Sequence, residues 1–262
     1  MADAVITALS VTAGKGTRLR AVDAIELGPQ GARGDRRFYL VDAAGRMVNG
    51  KQHGALQAVE TELDLDTDSL SLRFPDGGVV RAPVVEGVEI ETKFFSRSRS
   101  DRLVEGPFDE ALSAYLQTPI RLVATDSAVD RGALGAVSLI SRASLRRLGE
   151  VGALDSIDAR RFRMLVEIDG VEAHAEDRYV GRSVRLGDAV IRCEGHVGRC
   201  LVTSRNPDTG CIDLPTLELL RTYRGKHHLS SDPRPTEALP FGVHGQVLRG
   251  ASVRVGDEVT LS

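Results

Sequence analysis

The stretch Arg185-Leu-Gly-Asp-Ala-Val190 places glycine and aspartate between two short runs of strand-forming residues. The same pattern recurs at Arg254-Val-Gly-Asp-Glu-Val259. Glycine at the first of two turn positions is typical of a tight β-hairpin, because that position requires a positive φ. Both stretches therefore predict a two-residue turn between adjacent strands, and they indicate a fold made of short β-strands.

Short strand-type runs recur along the whole chain, and turn signals separate them at short intervals. This spacing favours a β-barrel or β-sandwich over a doubly wound parallel sheet. The predicted strands are residues 4–11, 36–41, 69–74, 120–124, 164–168, 189–192, 253–255 and 259–261.

Three helices are predicted between the strands. One begins at Pro107 and repeats apolar residues at helical spacing as far as Leu116. A second is capped by Ser141, and a third is capped by Asp213 and ends before Gly225. We interpret all three as packing elements that flank the strands.

Composition bounds the class of protein. The 262 residues carry a formal net charge of −3, with 42% hydrophobic and 4% aromatic residues. This near-neutral balance argues against a nucleic-acid partner. No apolar run of about 18 residues is present, so no membrane-spanning helix is expected. The start lacks the basic segment of a secretory signal, and three cysteines are too few for a disulfide scaffold, so we expect a reducing, cytoplasmic location.

Two segments suggest the domain organisation. Residues 97–106 are polar and charged, which predicts a linker. It would separate a β-rich N-terminal domain, residues 1–96, from a larger β-rich domain with helices, residues 107–262. Residues 228–240 contain three prolines and few large apolar residues, which predicts a long loop. His227 and His228 lie at the start of this loop. They are either solvated side chains or groups that transfer protons at a site.

The three cysteines lie within 19 residues, at positions 193, 200 and 211. With His196 they suggest a zinc site, but their spacing is irregular. Small buried apolar residues are the simpler interpretation of Cys193 and Cys211. Cys200 differs because Arg199 precedes it, and a nearby cation favours the thiolate. Neighbouring residues on a strand point to opposite faces, so adjacency alone does not bring that charge to the sulfur.

The sequence around Cys200 resembles the MOSC family. Residues 199–210 are Arg-Cys-Leu-Val-Thr-Ser-Arg-Asn-Pro-Asp-Thr-Gly, and a leucine-rich helix follows them. Arg161-Phe162-Arg163 resembles the start of a family strand, and Phe241-Gly242 and the stretch at 254–259 resemble family elements near the C-terminus. Residues 34–42, Gly-Asp-Arg-Arg-Phe-Tyr-Leu-Val-Asp, resemble the N-terminal β-barrel that often precedes MOSC. The resemblance covers nearly the whole chain.

This resemblance implies a mainly β fold with flanking helices, in which a small β-barrel precedes a MOSC-type β-barrel. It also implies a molybdenum cofactor, a molybdopterin, held between the two segments. Cys200 matches the cysteine that gives molybdenum a thiolate ligand, so it would be the catalytic and metal-ligating residue. The residues implied to bind the cofactor are Arg36, Arg163, Arg199, Thr203 and Lys15.

The function implied by the resemblance is an oxidoreductase that reduces N-hydroxylated or other N-oxygenated small molecules. Electrons would come from an external electron-transfer protein, because the chain has no flavin or iron–sulfur motif. Two alternatives stay open. Cys200 is instead a nucleophile or persulfide carrier in metal-free sulfur transfer, or the domain only binds the cofactor. Pyridoxal phosphate binding is a further family-level association.

Overall fold

The computed structural model describes residues 4–94, 97–129, 132–224 and 239–261. The described residues form nineteen strands, in chain order β1 (Ala4–Val11), β2 (Arg20–Val22), β3 (Ala24–Gly28), β4 (Gly31–Ala32), β5 (Phe38–Val41), β6 (Met47–Val48), β7 (Glu60–Asp64), β8 (Ser69–Arg73), β9 (Val79–Pro83), β10 (Val85–Phe94), β11 (Arg97–Glu105), β12 (Arg121–Ala124), β13 (Val137–Ser141), β14 (Val166–Asp169), β15 (Ser183–Leu186), β16 (Ala189–Gly198), β17 (Pro240–Arg249), β18 (Ser252–Arg254) and β19 (Glu258–Leu261). The helices are α1 (Phe108–Leu116), α2 (Arg142–Val151) and α3 (Thr216–Tyr223), and short 3-10 segments span Gly54–Ala58, Gly132–Gly135, Ala159–Phe162, Ala175–Tyr179 and Leu201–Ser204.

A closed seven-stranded barrel forms the larger core. Its strands follow the order β14, β13, β17, β16, β15, β19 and β1, and β1 pairs with β14 to close the ring. Inward-facing aliphatic residues alternate along these strands and fill the interior, as a small barrel requires. The expected mainly β architecture with flanking helices is therefore confirmed.

The first strand of the chain belongs to this barrel. In β1, Val5 pairs with Asp169 of β14, and Ala4 pairs with Val259 of β19. Both pairings are antiparallel, so β1 fills the space between two strands of the second half. The start of the chain thus crosses from the predicted N-terminal segment into the barrel. The domain division at residues 96 and 107 stays a prediction.

Apart from β2, which pairs with β1, and β3 and β4, which form a sheet with β18, the remaining N-terminal strands form two sheets. One is five-stranded, in the order β10, β11, β12, β5 and β6, and the other joins β7, β8 and β9 as a meander. Side chains of both sheets and of α1 meet in a second core that includes Phe38, Leu56 and Phe108, each of them completely buried. This core is closely packed, so we expect the side of the N-terminal half that faces the barrel to be rigid.

The predicted linker at residues 97–106 is wrong. Residues 97–105 are strand β11, which pairs antiparallel with β10 from Phe94↔Arg97 to Val85↔Glu105. The Arg-Ser-Arg-Ser-Asp-Arg sequence alternates its exposed side chains along a two-stranded ribbon, so a high charge density here marks an exposed strand. Only the last residues before Glu105 turn apolar, where the ribbon joins the core.

Two of the three predicted helix starts need comment. Ser141 caps α2 as predicted, since its side chain accepts a hydrogen bond from Ser144 N. Asp213 does not cap α3, because Pro215 holds the N-cap position and the carboxylate of Asp213 instead pairs with Arg161. The predicted end of this helix at Gly225 lies outside the described residues, as do His227, His228 and most of the predicted loop.

The two Gly-Asp turns have different roles. Gly187 and Asp188 form a two-residue connection between β15 and β16, with Gly187 at φ 57°, so this hairpin is confirmed. Gly256 and Asp257 do not close a hairpin, because β18 pairs with β3 and β19 pairs with β15 and β1. The second turn transfers the chain from one sheet to another.

Candidate functional site

A cleft of about 950 Å³ lies between the end of the barrel and the five-stranded sheet. Both halves of the chain line it, from the segment around residues 15 and 16 to the end of β16. The cleft brings together all six residues that the sequence analysis selected: Lys15, Arg36, Arg163, Arg199, Cys200 and Thr203.

Cys200 lies where β16 ends and a 3-10 turn begins. Its backbone is extended, with φ −134° and ψ −179°, and the residue is half-buried on the cleft wall. The carbonyl of Cys200 accepts hydrogen bonds from Thr203 N and from Thr203 Oγ1, both at 3.0 Å. Two hydrogen bonds to its carbonyl therefore fix the turn that carries Cys200, and Cys200 lines the cleft.

Arg199 is fixed by backbone carbonyls. Its Nη1 donates to Phe162 O at 2.8 Å and its Nε donates to Phe241 O at 2.7 Å. The guanidinium also stacks over the Phe162 ring at 5.3 Å. These contacts tie β16 to β17 and to the 3-10 segment before β14. Arg199 thus positions the end of β16, next to Cys200. The adjacency of the two residues in the sequence does not predict that the Arg199 side chain points to these carbonyls.

Arg36 and Arg163 tie the two halves together across the cleft. Arg36 Nη2 donates to Arg163 O at 2.9 Å, and Arg163 Nη2 donates to Thr17 O at 2.7 Å. Both residues have positive φ, at 51° and 54°, a strained conformation for a side chain of this size. Arg36 also pairs with Asp35, whose other oxygen accepts from Thr12 N at 2.9 Å. The predicted start of a strand at Arg161-Phe162-Arg163 is wrong, because a 3-10 segment ends there.

The turn that carries Lys15 is held by three buried threonines. Thr12, Thr17 and Thr61 place their hydroxyl oxygens 2.7 to 3.0 Å apart, and Thr61 Oγ1 accepts from Gly14 N at 2.9 Å. Lys15 N donates to Phe38 O at 2.7 Å, so the turn is also attached to β5. A rigid turn therefore presents Lys15 and its neighbouring glycine to the cleft.

Thr203 and Arg161 make hydrogen bonds that hold the segment after Cys200 in place. Thr203 is buried, and its carbonyl accepts from Thr216 Oγ1 at 2.9 Å. Arg161 makes a two-pronged pair with Asp213, with Nη1–Oδ1 at 2.7 Å and Nη2–Oδ2 at 2.9 Å. The hydrogen bonds from Arg161 hold the pKa of Asp213 below its usual range. This pair fastens the chain that follows Cys200 to the segment that carries Arg163.

Comparison with known proteins identifies the family. The sequence model of the MOSC domain matches residues 126–260, more than half of the chain, and that of the MOSC N-terminal beta barrel domain matches residues 4–118. The chain belongs to the MOSC family. This MOSC protein is 25% identical to mitochondrial amidoxime-reducing component 1 of Danio rerio over 271 residues, 94% of the chain and 80% of the fish protein.

Two further similarities are more distant or less extensive. The chain is 28% identical to mitochondrial amidoxime-reducing component 1 of Mus musculus over 255 residues, which cover 87% of the chain and 72% of the mouse protein. The solved structure of the YUAD protein from Bacillus subtilis aligns with a TM-score of 0.46 at 12% sequence identity, covering 98% of this chain and 94% of the other. Within the described part of the MOSC protein, no helix is long and apolar enough to span a membrane.

The cleft of this MOSC protein is strongly cationic. Among the described residues that line it are eight lysines and arginines, against one carboxylate, Asp35. Four of these eight cations were not predicted as site residues: Lys51, Arg97, Arg99 and Arg161. The polar side chains of Asn49 and His244 also line the cleft and were not predicted. The strand alternation around Arg97 and Arg99 is the sequence signal that points to them.

The other cysteines do not join Cys200. Cys193 is completely buried in the barrel, and burial raises the pKa of its thiol to about 12. Cys211 is exposed and lies outside the cleft. His196 faces Asp177, with Nε2 and Oδ1 at 3.4 Å. Among the described residues no group of three or more histidines, cysteines and acids is placed to hold a metal ion, so the zinc interpretation gains no support.

Proposed function

We propose that this MOSC protein is a molybdenum-cofactor-dependent oxidoreductase that reduces N-hydroxylated or other N-oxygenated small molecules, with Cys200 as the metal ligand. The observation that carries the proposal is the position of Cys200, a half-buried thiol on the wall of a cationic cleft. The similarity to amidoxime-reducing components over most of the chain supports the same class of reaction.

The donor set fits this cofactor. A metal held by protein side chains alone needs three or four ligands, and the described residues offer no such group. A molybdopterin brings its own sulfur ligands, so one protein thiolate is enough to complete the site. Its phosphate requires fixed cations, which the cleft supplies in excess. When bound, the cofactor supplies two-electron oxygen-atom chemistry at the metal.

The residues of this chain then have distinct tasks. Arg36, Arg163 and Lys15 are the cations that would bind the phosphate of the cofactor, because all three line the cleft. Hydrogen bonds to backbone carbonyls hold the guanidinium groups of Arg36 and Arg163 there. Arg199 and Thr203 keep the Cys200 turn in place. The thiolate of Cys200 would lose its proton on ligation. Because Arg199 and Thr203 already bond to backbone carbonyls, Cys200 would be in position before the metal binds.

The reaction consumes electrons that the chain does not store. Reduction breaks the N–O bond of the substrate, takes up two electrons and two protons, and releases water. Three cysteines, of which one is buried in the barrel core, do not provide the four thiolates of an iron–sulfur cluster. We therefore include an external electron-transfer protein as a partner, next to the small-molecule substrate. A cytoplasmic location and the absence of a nucleic-acid partner stay predictions.

The test is the metal and pterin content of protein purified from a host that makes the cofactor. We expect up to about one molybdenum per chain in the wild type, because among the described residues that line the cleft only Cys200 carries a thiol. Cys200→Ser is expected to lose most of the metal, and Cys211→Ser, the matched control at an exposed site, is expected to retain it. Turnover is measured with an aryl amidoxime and a reduced viologen as electron donor.

Each alternative gives a different result in the same preparation. If the purified protein carries a persulfide on Cys200 and no molybdenum, the result contradicts the reductase proposal and supports sulfur transfer. A chain with full cofactor and no turnover of any N-oxygenated compound would be a cofactor-binding module. Equal metal content in the Cys200→Ser and Cys211→Ser proteins would show that this thiol is not the ligand.

A further inference from the structure

Arg97 differs from the other arginines of the cleft. It is the first residue of β11, it is exposed, and it lines the cleft on the wall of the five-stranded sheet. Its guanidinium makes no hydrogen bond or ion pair with any described residue, whereas Arg36, Arg161, Arg163 and Arg199 all donate to protein oxygens. A cation that faces a cleft without a protein acceptor is available to an anionic ligand.

Arg99, two residues further along the same strand, is held rigidly. It donates to Asp101 Oδ2 at 2.9 Å, to Thr125 Oγ1 at 2.6 Å and to Ser127 Oγ at 2.7 Å. Its guanidinium also lies 5.2 Å from the centre of the Phe94 ring. Residues i and i+2 of a strand share a face, so Arg97 stands beside a fixed cation whose charge Asp101 already balances.

The surroundings of Arg97 are partly apolar. Phe94, Met47 and Val129 are buried side chains of the same cleft wall. Phe94 is opposite Arg97 in the β10–β11 ladder and packs edge to face on Tyr39, with ring centres 4.7 Å apart. An apolar surface next to an available guanidinium suits a small molecule with a hydrophobic body and an acidic end.

We propose that Arg97 binds a carboxylate of the substrate, so that the preferred substrates are small N-oxygenated acids. This proposal rests on the proposed reductase function, because it concerns the substrate of the same cleft. The planar guanidinium matches a carboxylate in a two-pronged hydrogen-bonded pair. The cationic excess of the cleft adds a second, longer-range attraction for an anion.

The test compares two substrates that differ only in charge, benzamidoxime and 4-carboxybenzamidoxime. For the loaded wild-type enzyme we expect a higher kcat/KM with the acid. Arg97→Ala is expected to lower kcat/KM for the acid about tenfold, as loss of a charge-assisted pair at an exposed site implies, and to leave the neutral compound unchanged. Arg102→Ala is the matched control, since Arg102 is exposed on the same strand but does not line the cleft.

A second measurement does not depend on turnover. Titration calorimetry of both compounds into the purified protein gives their Kd values, and we expect the acid to bind about tenfold more weakly to Arg97→Ala than to wild type. Raising the salt concentration should weaken binding of the acid and not of the neutral compound. Equal Kd values for the two compounds in the wild type would overturn the proposal.

The outcomes separate this proposal from the reductase itself. If Arg97→Ala loses molybdenum or pterin relative to Arg102→Ala, Arg97 binds the cofactor and the proposal is wrong. If neither compound is reduced but the acid still binds more tightly through Arg97, the carboxylate site stands and the reductase fails. If both are reduced equally well by wild type and Arg97→Ala, the reductase stands and the carboxylate site fails.

Discussion

At the scale of single residues, two neighbouring carboxyl groups show how burial and partners compete. Burial raises the pKa of Glu176, which is completely buried and accepts from Ser144 Oγ at 2.6 Å. Burial also tends to raise the pKa of Asp177, but its contacts with His196 and Arg224 outweigh burial and hold it below the usual range. The two side chains differ because only Asp177 faces a buried cation.

The Asp177–Arg224 pair predicts a pH-dependent stability. Arg224 is 5% exposed and donates to Asp177 Oδ2 at 2.6 Å. Asp177→Asn leaves this cation without a carboxylate, so we expect a loss of about 3–5 kcal/mol in the free energy of unfolding at pH 7. A lowered pKa contributes stability above the unfolded value of about 3.9, and this is lost as pH falls through the lower folded value. The gap between wild type and variant should therefore narrow below about pH 4.

Urea denaturation from roughly pH 3 to 7, a range that crosses the unfolded pKa of about 3.9, measures this gap in the free energy of unfolding. Asp66→Asn, at an exposed position of the β7–β8 turn, is the control and should change little. A gap that stays constant over the whole pH range would contradict the role of the charge.

At the residue scale, the sequence predicts which residues lie at the cleft better than it predicts where their side chains point. Cys200, Arg36 and Arg163 were predicted as site residues, and the structure places them at one cleft. The role that their motif implies stays a prediction. The direction of the Arg199 side chain was not predictable, because it depends on carbonyls of Phe162 and Phe241, which the fold brings together from distant positions.

At the scale of elements, the turn at residues 206–210 is docked on the N-terminal half. Arg205 Nη2 donates to Lys51 O at 3.0 Å, and Arg18 Nη2 donates to Asp208 O at 2.9 Å. Gly210 lies against the backbone of Gly54 so closely that a Cβ atom on it would overlap the Gly54 carbonyl. The turn therefore fixes how the strand end with Cys200 sits relative to the opposite wall of the cleft.

This close approach predicts that Gly210→Ala is more harmful than its backbone angle alone implies. Gly210 has φ 74°, which costs an alanine about 1–3 kcal/mol, and the overlap adds about 1–3 kcal/mol. Gly256→Ala is the matched control, because Gly256 has φ 96° and no heavy atom within 4 Å of the added Cβ. Thermal unfolding should show a larger fall in Tm for Gly210→Ala, and equal falls would exclude the overlap.

The strands were predictable because their two-residue periodicity is local. All eight predicted strands correspond to strands of the fold, with ends shifted by a few residues. The charged strand β11 was missed because it has few apolar residues and lies in an exposed ribbon. The start of α3 was misplaced because Asp213 is a good N-cap residue whose carboxylate is taken by Arg161, a contact between distant positions.

At the scale of the whole molecule, β1 links the two halves in a way that no local pattern reveals. It leaves the N-terminal half, inserts between β14 and β19, and so completes the barrel. Strand β12 makes the reverse exchange, because it comes after the predicted boundary and pairs with β5 of the N-terminal sheet. Each half therefore needs a strand from the other half to complete its sheet.

This exchange predicts that residues 107–262 do not fold alone. Without β1 the barrel has open edges at β14 and β19, and without β5 strand β12 loses a partner. We expect the fragment to bind a hydrophobic dye and to unfold without a cooperative transition, while the full chain unfolds in one. Co-expression with residues 1–106, which include β11, is the control and should restore solubility. A cooperative transition in the isolated fragment would contradict the prediction.

The placement of β1 also affects biosynthesis. Strand β1 pairs with β19, which is synthesised far later along the chain. At roughly 5–20 residues per second, β1 therefore waits on the order of tens of seconds for this neighbour. Barrel closure cannot precede the synthesis of β19, and until then the edge of β1 that pairs with β19 has no partner from that strand.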